Sequence, residues 1–182
     1  EQFKENQVMF RNTPYKVLNK EQWVFLSKNE AELLLKISSN NPKLESLSKR
    51  IFQGVKTGAD KIFILKKVSE SESYYNVLCR SNGKQYQIEK NILFPLIKGG
   101  HSRKFQILET NLLLLFPYNQ GELINVKEIE NRYPKAWIFL NEHKNFLENR
   151  ENGKMKGEKW FAYSRNQAID VISKPKLFTP DI

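Results

Sequence analysis

The run Ile51-Phe52-Gln53-Gly54-Val55-Lys56-Thr57-Gly58-Ala59-Asp60-Lys61-Ile62-Phe63-Ile64-Leu65 sets two short apolar segments on either side of a polar stretch with two glycines, one threonine and two lysines. β-Branched and aromatic runs punctuated in this way predict strand, tight loop, strand. Glycine has no Cβ and takes positive φ at little cost, so Gly54 and Gly58 allow the backbone to approach a ligand closely. Lys56 and Lys61 bring positive charge to the same loop, and an anion is the ligand they suit. The alternative is a plain hairpin whose lysines are simply solvated.

Charge is unevenly spread along the chain. Of 182 residues 40% are hydrophobic, enough for a real core in one domain or two small lobes, and the net charge is +10 with a pI near 9.6. Such a chain suits a polyanionic partner, because neutralising phosphates releases counterions and gives affinity without sequence knowledge. Residues 49–104 hold 12 basic and 4 acidic side chains, whereas residues 105–150 hold 5 and 6. The surplus therefore gathers around the Gly-Thr-Gly loop and the segment after it, as in an electrostatic footprint. In that segment Ile92-Leu93-Phe94-Pro95-Leu96-Ile97 is too apolar to be exposed, and Lys98-Gly99-Gly100-His101-Ser102-Arg103-Lys104 is too polar to be core. The two adjacent glycines can offer backbone N–H groups to phosphate oxygens beside Lys98, Arg103 and Lys104, and His101 adds a polar contact. A surface loop without a ligand is the competing account.

Residues 1–20 are polar and weakly patterned, and are expected to link to an upstream domain; residues 21–182 form the domain proper. Ser27-Lys28-Asn29-Glu30 has the spacing of a capping box and predicts a helix to about Ser38, with Ala31, Leu34, Leu35 and Ile37 as its apolar positions. Asn40-Asn41-Pro42 ends it, and Leu44 with Leu47 marks one further helical turn. Residues 74–80 alternate, and Asn82-Gly83 is the pair that a two-residue hairpin turn prefers before residues 85–88 return. Residues 112–116 read as a strand buried on both faces, Asn125-Val126-Lys127-Glu128 as a helix cap, and 134–150 as a helix with Trp137, Leu140 and Leu147 on one face and Lys144 and Arg150 on its polar side. Mixed elements of this kind make an α+β domain with a largely antiparallel sheet and packed helices. From Glu151 the composition shifts to a basic, glycine-containing loop followed by Trp160, Phe161, Tyr163 and Arg165. Aromatic residues interleaved with cations can stack on bases while meeting phosphates; Trp160 is expected in the core, leaving Tyr163 and Arg165 as contact candidates. Residues 174–180 are expected to form an extended edge.

A single cysteine, Cys79, excludes a disulfide framework and is expected to be a buried apolar residue. His101 and His143 lack neighbours with metal-ligand or catalytic spacing. There is no signal peptide, membrane-spanning run or lipidation motif, so the default location is cytoplasmic.

The pattern apolar-x-x-Gly-x-x-Thr-Gly-x-x-Lys-x-Phe at residues 51–63 resembles the opening of the TaqI-like C-terminal specificity domain, the target recognition domain of adenine-N6 DNA methyltransferases and fused restriction-modification enzymes. Further matches follow in order: residues 93–99, the apolar run 112–116 with Pro117 and Tyr118, Tyr133-Pro134 with Phe139 and Leu140, Leu147 and Arg150, Lys159-Trp160-Phe161, and Lys174-Pro175-Lys176. One departure lies at Gly100-His101-Ser102-Arg103, where relatives continue with an arginine and an acidic residue. The resemblance implies double-stranded DNA as partner and an upstream methyltransferase domain in cis that binds S-adenosylmethionine, with magnesium where a nuclease is fused. No catalytic or metal residue is assigned to this chain, which lacks the Asn/Asp-Pro-Pro-Tyr/Phe motif and a glycine-bearing cofactor loop. The expected DNA contacts are Gln53, Lys56, Thr57, Lys61, Lys98, His101, Arg103, Lys104, Tyr163 and Arg165, with Gln53 and Lys56 leading for base edges by side-chain reach. An independent RNA- or protein-binding basic module is the alternative.

Overall fold

A computed structural model describes residues 26–39, 41–98 and 109–177. The chain divides into two compact units at Ile51 and Phe52. In the first, α1 spans Lys28–Ser39 and opens on the capping box read from the sequence. The Ser27 backbone N–H donates to Glu30 Oε2 at 2.7 Å, and Glu30 N–H donates back to Ser27 Oγ at 3.4 Å. A one-turn helix, α2, follows at Leu44–Leu47. The apolar side chains Leu33, Leu34, Leu35 and Ile37 of α1 are half or more exposed.

The second unit is an α+β fold built on a five-stranded sheet whose paired strands are all antiparallel. Its strands are β1 Ile64–Glu70, β2 Tyr74–Cys79, β3 Gln85–Glu89, β4 Leu93–Pro95 and β5 Leu112–Leu115, in the order β3-β2-β1-β5-β4. Leu65 lies opposite Leu113 on one side and Cys79 on the other, so one apolar row crosses three strands, and all three side chains are buried. The four leucines of β5 are flanked by β1 and β4, and Leu113, Leu114 and Leu115 are buried on alternate faces, as expected of a strand covered on both sides.

The decisive stretch differs from its reading as strand, loop, strand. Residues 51–59 form no ladder, and a single helical turn, α3 at Asp60–Phe63, comes before β1. The cause lies in Thr57, whose hydroxyl accepts Ala59 N–H at 3.0 Å and donates to Asp60 Oδ1 at 2.7 Å. Side-chain bonds of this kind compete with an extended ladder and start a turn. The β2–β3 hairpin forms as expected, but through four residues, 80–83, rather than two. A two-residue type I′ turn needs positive φ at both central residues; here Gly83 has φ 69° while Asn82 uses its side-chain oxygen to accept Lys84 N–H. The short ribbon of β6 (Tyr118–Asn119) and β7 (Glu122–Leu123) instead turns through Gln120 and Gly121, both at positive φ.

In the second unit α4, Val126–Arg132, packs on α5, Pro134–Glu142, which packs on β3. α4 begins at Asn125, whose side chain accepts Glu128 N–H at 2.9 Å. α5 is docked on β3 by the Glu89 carboxylate, which accepts the N–H groups of Lys135 and Ala136 at 2.9 and 3.0 Å. These are donors that the first turn of a helix leaves without intrahelical partners. The expected continuous helix over 134–150 breaks at His143, whose buried ring sits 2.9 Å from the Phe139 carbonyl oxygen and 3.8 Å from Cys79 Sγ; α6 then runs Lys144–Glu148. Beyond it Glu151, Asn152 and Gly153 take φ of 51°, 60° and 81°, a left-handed run that no helix continues. On the other side of the core, Phe63, Phe116, Tyr118 and Tyr163 form an aromatic cluster with ring centres 5.0 to 6.0 Å apart. No strand forms over the described part of the expected extended edge, residues 174–177.

Candidate nucleic-acid interface

The loop of residues 53–59 is held from below by side chains distant in sequence. Arg150, 7% exposed, donates from Nη1 to the Thr57 carbonyl and from Nη2 to the carbonyls of Trp160 and Ala162, each at 2.8 Å. Its Nε donates to Leu147 O at 2.9 Å, and the guanidinium lies 5.5 Å from the Phe63 ring centre. Burial lowers the pKa of this group, while charge interactions with Tyr118 and Glu151 act the other way. Ser164 N–H also donates to Thr57 O, at 3.1 Å, and Gln167 Nε2 donates to Gly54 O at 2.8 Å. Gly58 takes φ 70°, and a Cβ placed there would lie 1.8 Å from Ser164 Oγ, so both conformation and space demand glycine. Gly54, which can take positive φ as Gly58 does, does not take it here, and a Cβ there would meet nothing within 4 Å.

An open cleft of ≈ 350 Å³ sits at this loop, lined by Val55, Lys56, Thr57, Gly58, Asp60, Glu151, Ser164 and Arg165. Lys56 and Arg165 are exposed on its wall. Asp60 is held by Thr57 and by Lys98, whose Nζ stands 3.0 Å from Asp60 Oδ2. Partial burial opposes ionisation of Asp60, but the bonds from Thr57 and Lys98 and the charges of Lys98 and Arg80 outweigh it, leaving its pKa below the ordinary value. Lys98, expected as a phosphate contact, is instead paired with Asp60 of this loop.

The expected contact residues separate into five groups. Gln53, Lys56, Lys61 and Arg165 are exposed, and Lys56 and Arg165 share the cleft wall. Thr57 is 1% exposed with its hydroxyl fully engaged; it shapes the loop and is not placed to touch DNA by its side chain. Tyr163 is 2% exposed and its hydroxyl donates to Leu115 O at 2.6 Å, so it belongs to the core beside Phe63. Lys98 is half-buried and paired with Asp60. His101, Arg103 and Lys104 lie outside the described residues. Trp160 is buried as expected, but Arg150 is a core residue rather than part of a polar helix side. The Thr57-Gly58-Ala59-Asp60 spacing, a hydroxyl three residues before a carboxylate, was the available signal for Asp60. Ser164 and Gln167 carried none, because they reach the loop only through the fold, and Arg150 stood among the motif matches without its role in the loop being legible. Among the described residues no three His, Cys, Asp or Glu side chains converge as a metal site.

No protein-family profile and no solved structure matches the chain. It is similar to the type II methyltransferase M.BstVI of Geobacillus stearothermophilus, with 26% identity over 165 residues, 89% of this chain. The chain spans 26% of the length of that protein. The likeness supports a relationship to type II methyltransferases.

Proposed function

We propose that this chain is the duplex-DNA recognition part of an adenine-N6 DNA methyltransferase of a restriction-modification system, fused to an endonuclease. The observation that carries the reading is the similarity to a type II methyltransferase over nearly the whole chain, which occupies only about a quarter of that relative. The TaqI-like order of motifs and the basic surplus at residues 49–104 support it. Phosphate contacts position such a domain on the duplex, and a few side chains test base edges. Lys61, Lys56 and Arg165 are exposed around a loop fixed by Arg150, an arrangement that presents charge on a rigid frame.

S-adenosylmethionine belongs to a methyltransferase domain in cis, and magnesium to the nuclease. The cleft at residues 55–58 does not suit S-adenosylmethionine: Lys56 and Arg165 oppose its sulfonium cation, and Val55 is the lone apolar side chain available to an adenine ring. A cytoplasmic setting fits this role, and no helix among the described residues is long and apolar enough to cross a membrane.

The 182-residue chain, titrated into labelled duplex DNA, is expected to bind with an affinity that falls as salt rises, each phosphate contact adding about 0.9 to the slope of log K against log salt. With S-adenosylmethionine or magnesium added, it is expected neither to methylate nor to cut. Salt-insensitive binding, or activity that copurifies with the chain, overturns the proposal.

A further inference from the structure

The cleft beside Gly58 is lined by two cations, Lys56 and Arg165, and two carboxylates, Asp60 and Glu151. Lys56 and Arg165 line it, and neither forms an ion pair with a carboxylate among the described residues. Behind the loop the Arg150 guanidinium is buried and directs its N–H groups to four carbonyl oxygens, so its charge is met by dipoles and not by a carboxylate ion pair. Two acidic side chains also stand on the wall. Asp60 is already engaged by Thr57 and Lys98; Glu151 is exposed and sits on left-handed backbone at φ 51°, an unfavourable conformation for a non-glycine residue. The space of ≈ 350 Å³ is ample for a phosphate group.

We propose that this cleft is a phosphate subsite in which Lys56 and Arg165 hold the anion and Glu151 limits its affinity. The identity of the phosphate rests on the DNA reading above, under which it is one backbone phosphodiester of the duplex. Lys56 then holds phosphate instead of reading a base, and base reading at this loop passes to Gln53, exposed three residues earlier. The charge and shape of the cleft suit phosphate as such, so the site is testable apart from DNA.

Four forms of the 182-residue chain decide it: the parent, K56M/R165M, E151Q, and K127M as a control on α4. Inorganic phosphate is titrated while the amide signals of Gly58 and Arg165 are followed by NMR, and a labelled duplex is titrated in parallel across a salt series. The parent and K127M should show saturable, phosphate-dependent shifts at Gly58 and Arg165. In K56M/R165M these should vanish, and E151Q should bind phosphate about two- to fivefold more tightly, the range of a single screened surface charge. On the duplex, K56M/R165M should weaken cognate and scrambled sequences equally and lower the salt slope by about 0.9, the value for one phosphate. No phosphate-dependent shift in the parent, or shifts that persist in K56M/R165M, overturns the subsite even where the parent binds duplex well. Phosphate shifts that behave as expected in a chain that does not bind duplex uphold the subsite and overturn the DNA reading as the source of its phosphate.

Discussion

Arg150 ties the loop to two other parts of the chain, Leu147 and the turn at Trp160 and Ala162, and its loss should be felt at all of them. Replacing it with methionine keeps much of the apolar stem but removes donors from the carbonyls of Thr57, Leu147, Trp160 and Ala162. Thr57 O retains its bond from Ser164 N–H; the others lose a partner in a buried setting. At about 1–3 kcal/mol for each buried group left unsatisfied, R150M is expected to destabilise the fold by about 3 kcal/mol or more in chemical denaturation. A loss below about 1 kcal/mol would mean that water replaces the guanidinium freely. Gly58 makes a second, separable case. G58A should cost stability through both its positive φ and the clash with Ser164 Oγ and Cβ, and S164G in the same chain should relieve the clash while leaving a conformational cost of about 1 kcal/mol. Full recovery in the double variant would show that conformation at Gly58 does not matter.

The elements show which signals in the sequence were sufficient and which were not. Both side-chain caps expected from spacing, at Ser27 and at Asn125, form, because a cap depends on residues within three positions of each other. The β2–β3 hairpin and the doubly buried β5 were legible for a similar reason: alternation and an unbroken apolar run are local patterns. Turn chemistry was less legible. Asn82-Gly83 carries the favoured pair but sits in a four-residue connection, while the less typical Gln120-Gly121 makes the two-residue turn. Tyr163 was misread because interleaving with cations is also what a core aromatic shows when its neighbours alternate to the surface. Its hydroxyl finds Leu115 O, and its N–H donates to Tyr118 Oη at 2.6 Å. Burial raises the Tyr118 phenol to about 12, against the opposing effects of that N–H and the Arg150 charge. A phenol whose folded pKa lies above its unfolded value of 10.0 contributes stability that is complete below pH 10 and lost as pH rises through 12. In an alkaline titration followed by tyrosinate absorbance, Tyr118 and Tyr163 should ionise last and together with unfolding. In Y118F the late step should shrink by one tyrosine. Early ionisation of all tyrosines in the folded protein would contradict the packing described for this cluster.

At the scale of the whole molecule, an antiparallel sheet with helices packed on it carries a basic loop region on a buried arginine frame. The charge surplus of residues 49–104 was readable from composition, and so was the part of the chain it marks. The division of labour among the expected contacts was not, since Thr57 and Tyr163 turn inward and Lys56 and Arg165 line one cleft only because the fold brings residues 55–60 against residues 151–165. Attraction to phosphate alone would make this a general polyanion binder, with equal affinity for any duplex. Recognition requires in addition that a few side chains discriminate bases, each at about 1–3 kcal/mol. The direct measurement is selection of the 182-residue chain against a library of random duplexes at physiological salt, with the bound fraction sequenced over successive rounds. Enrichment of one short motif, which Q53A weakens without changing affinity for random DNA, is the predicted result. A bound fraction that stays random in sequence after repeated rounds, or a chain that binds no duplex at all, would contradict it.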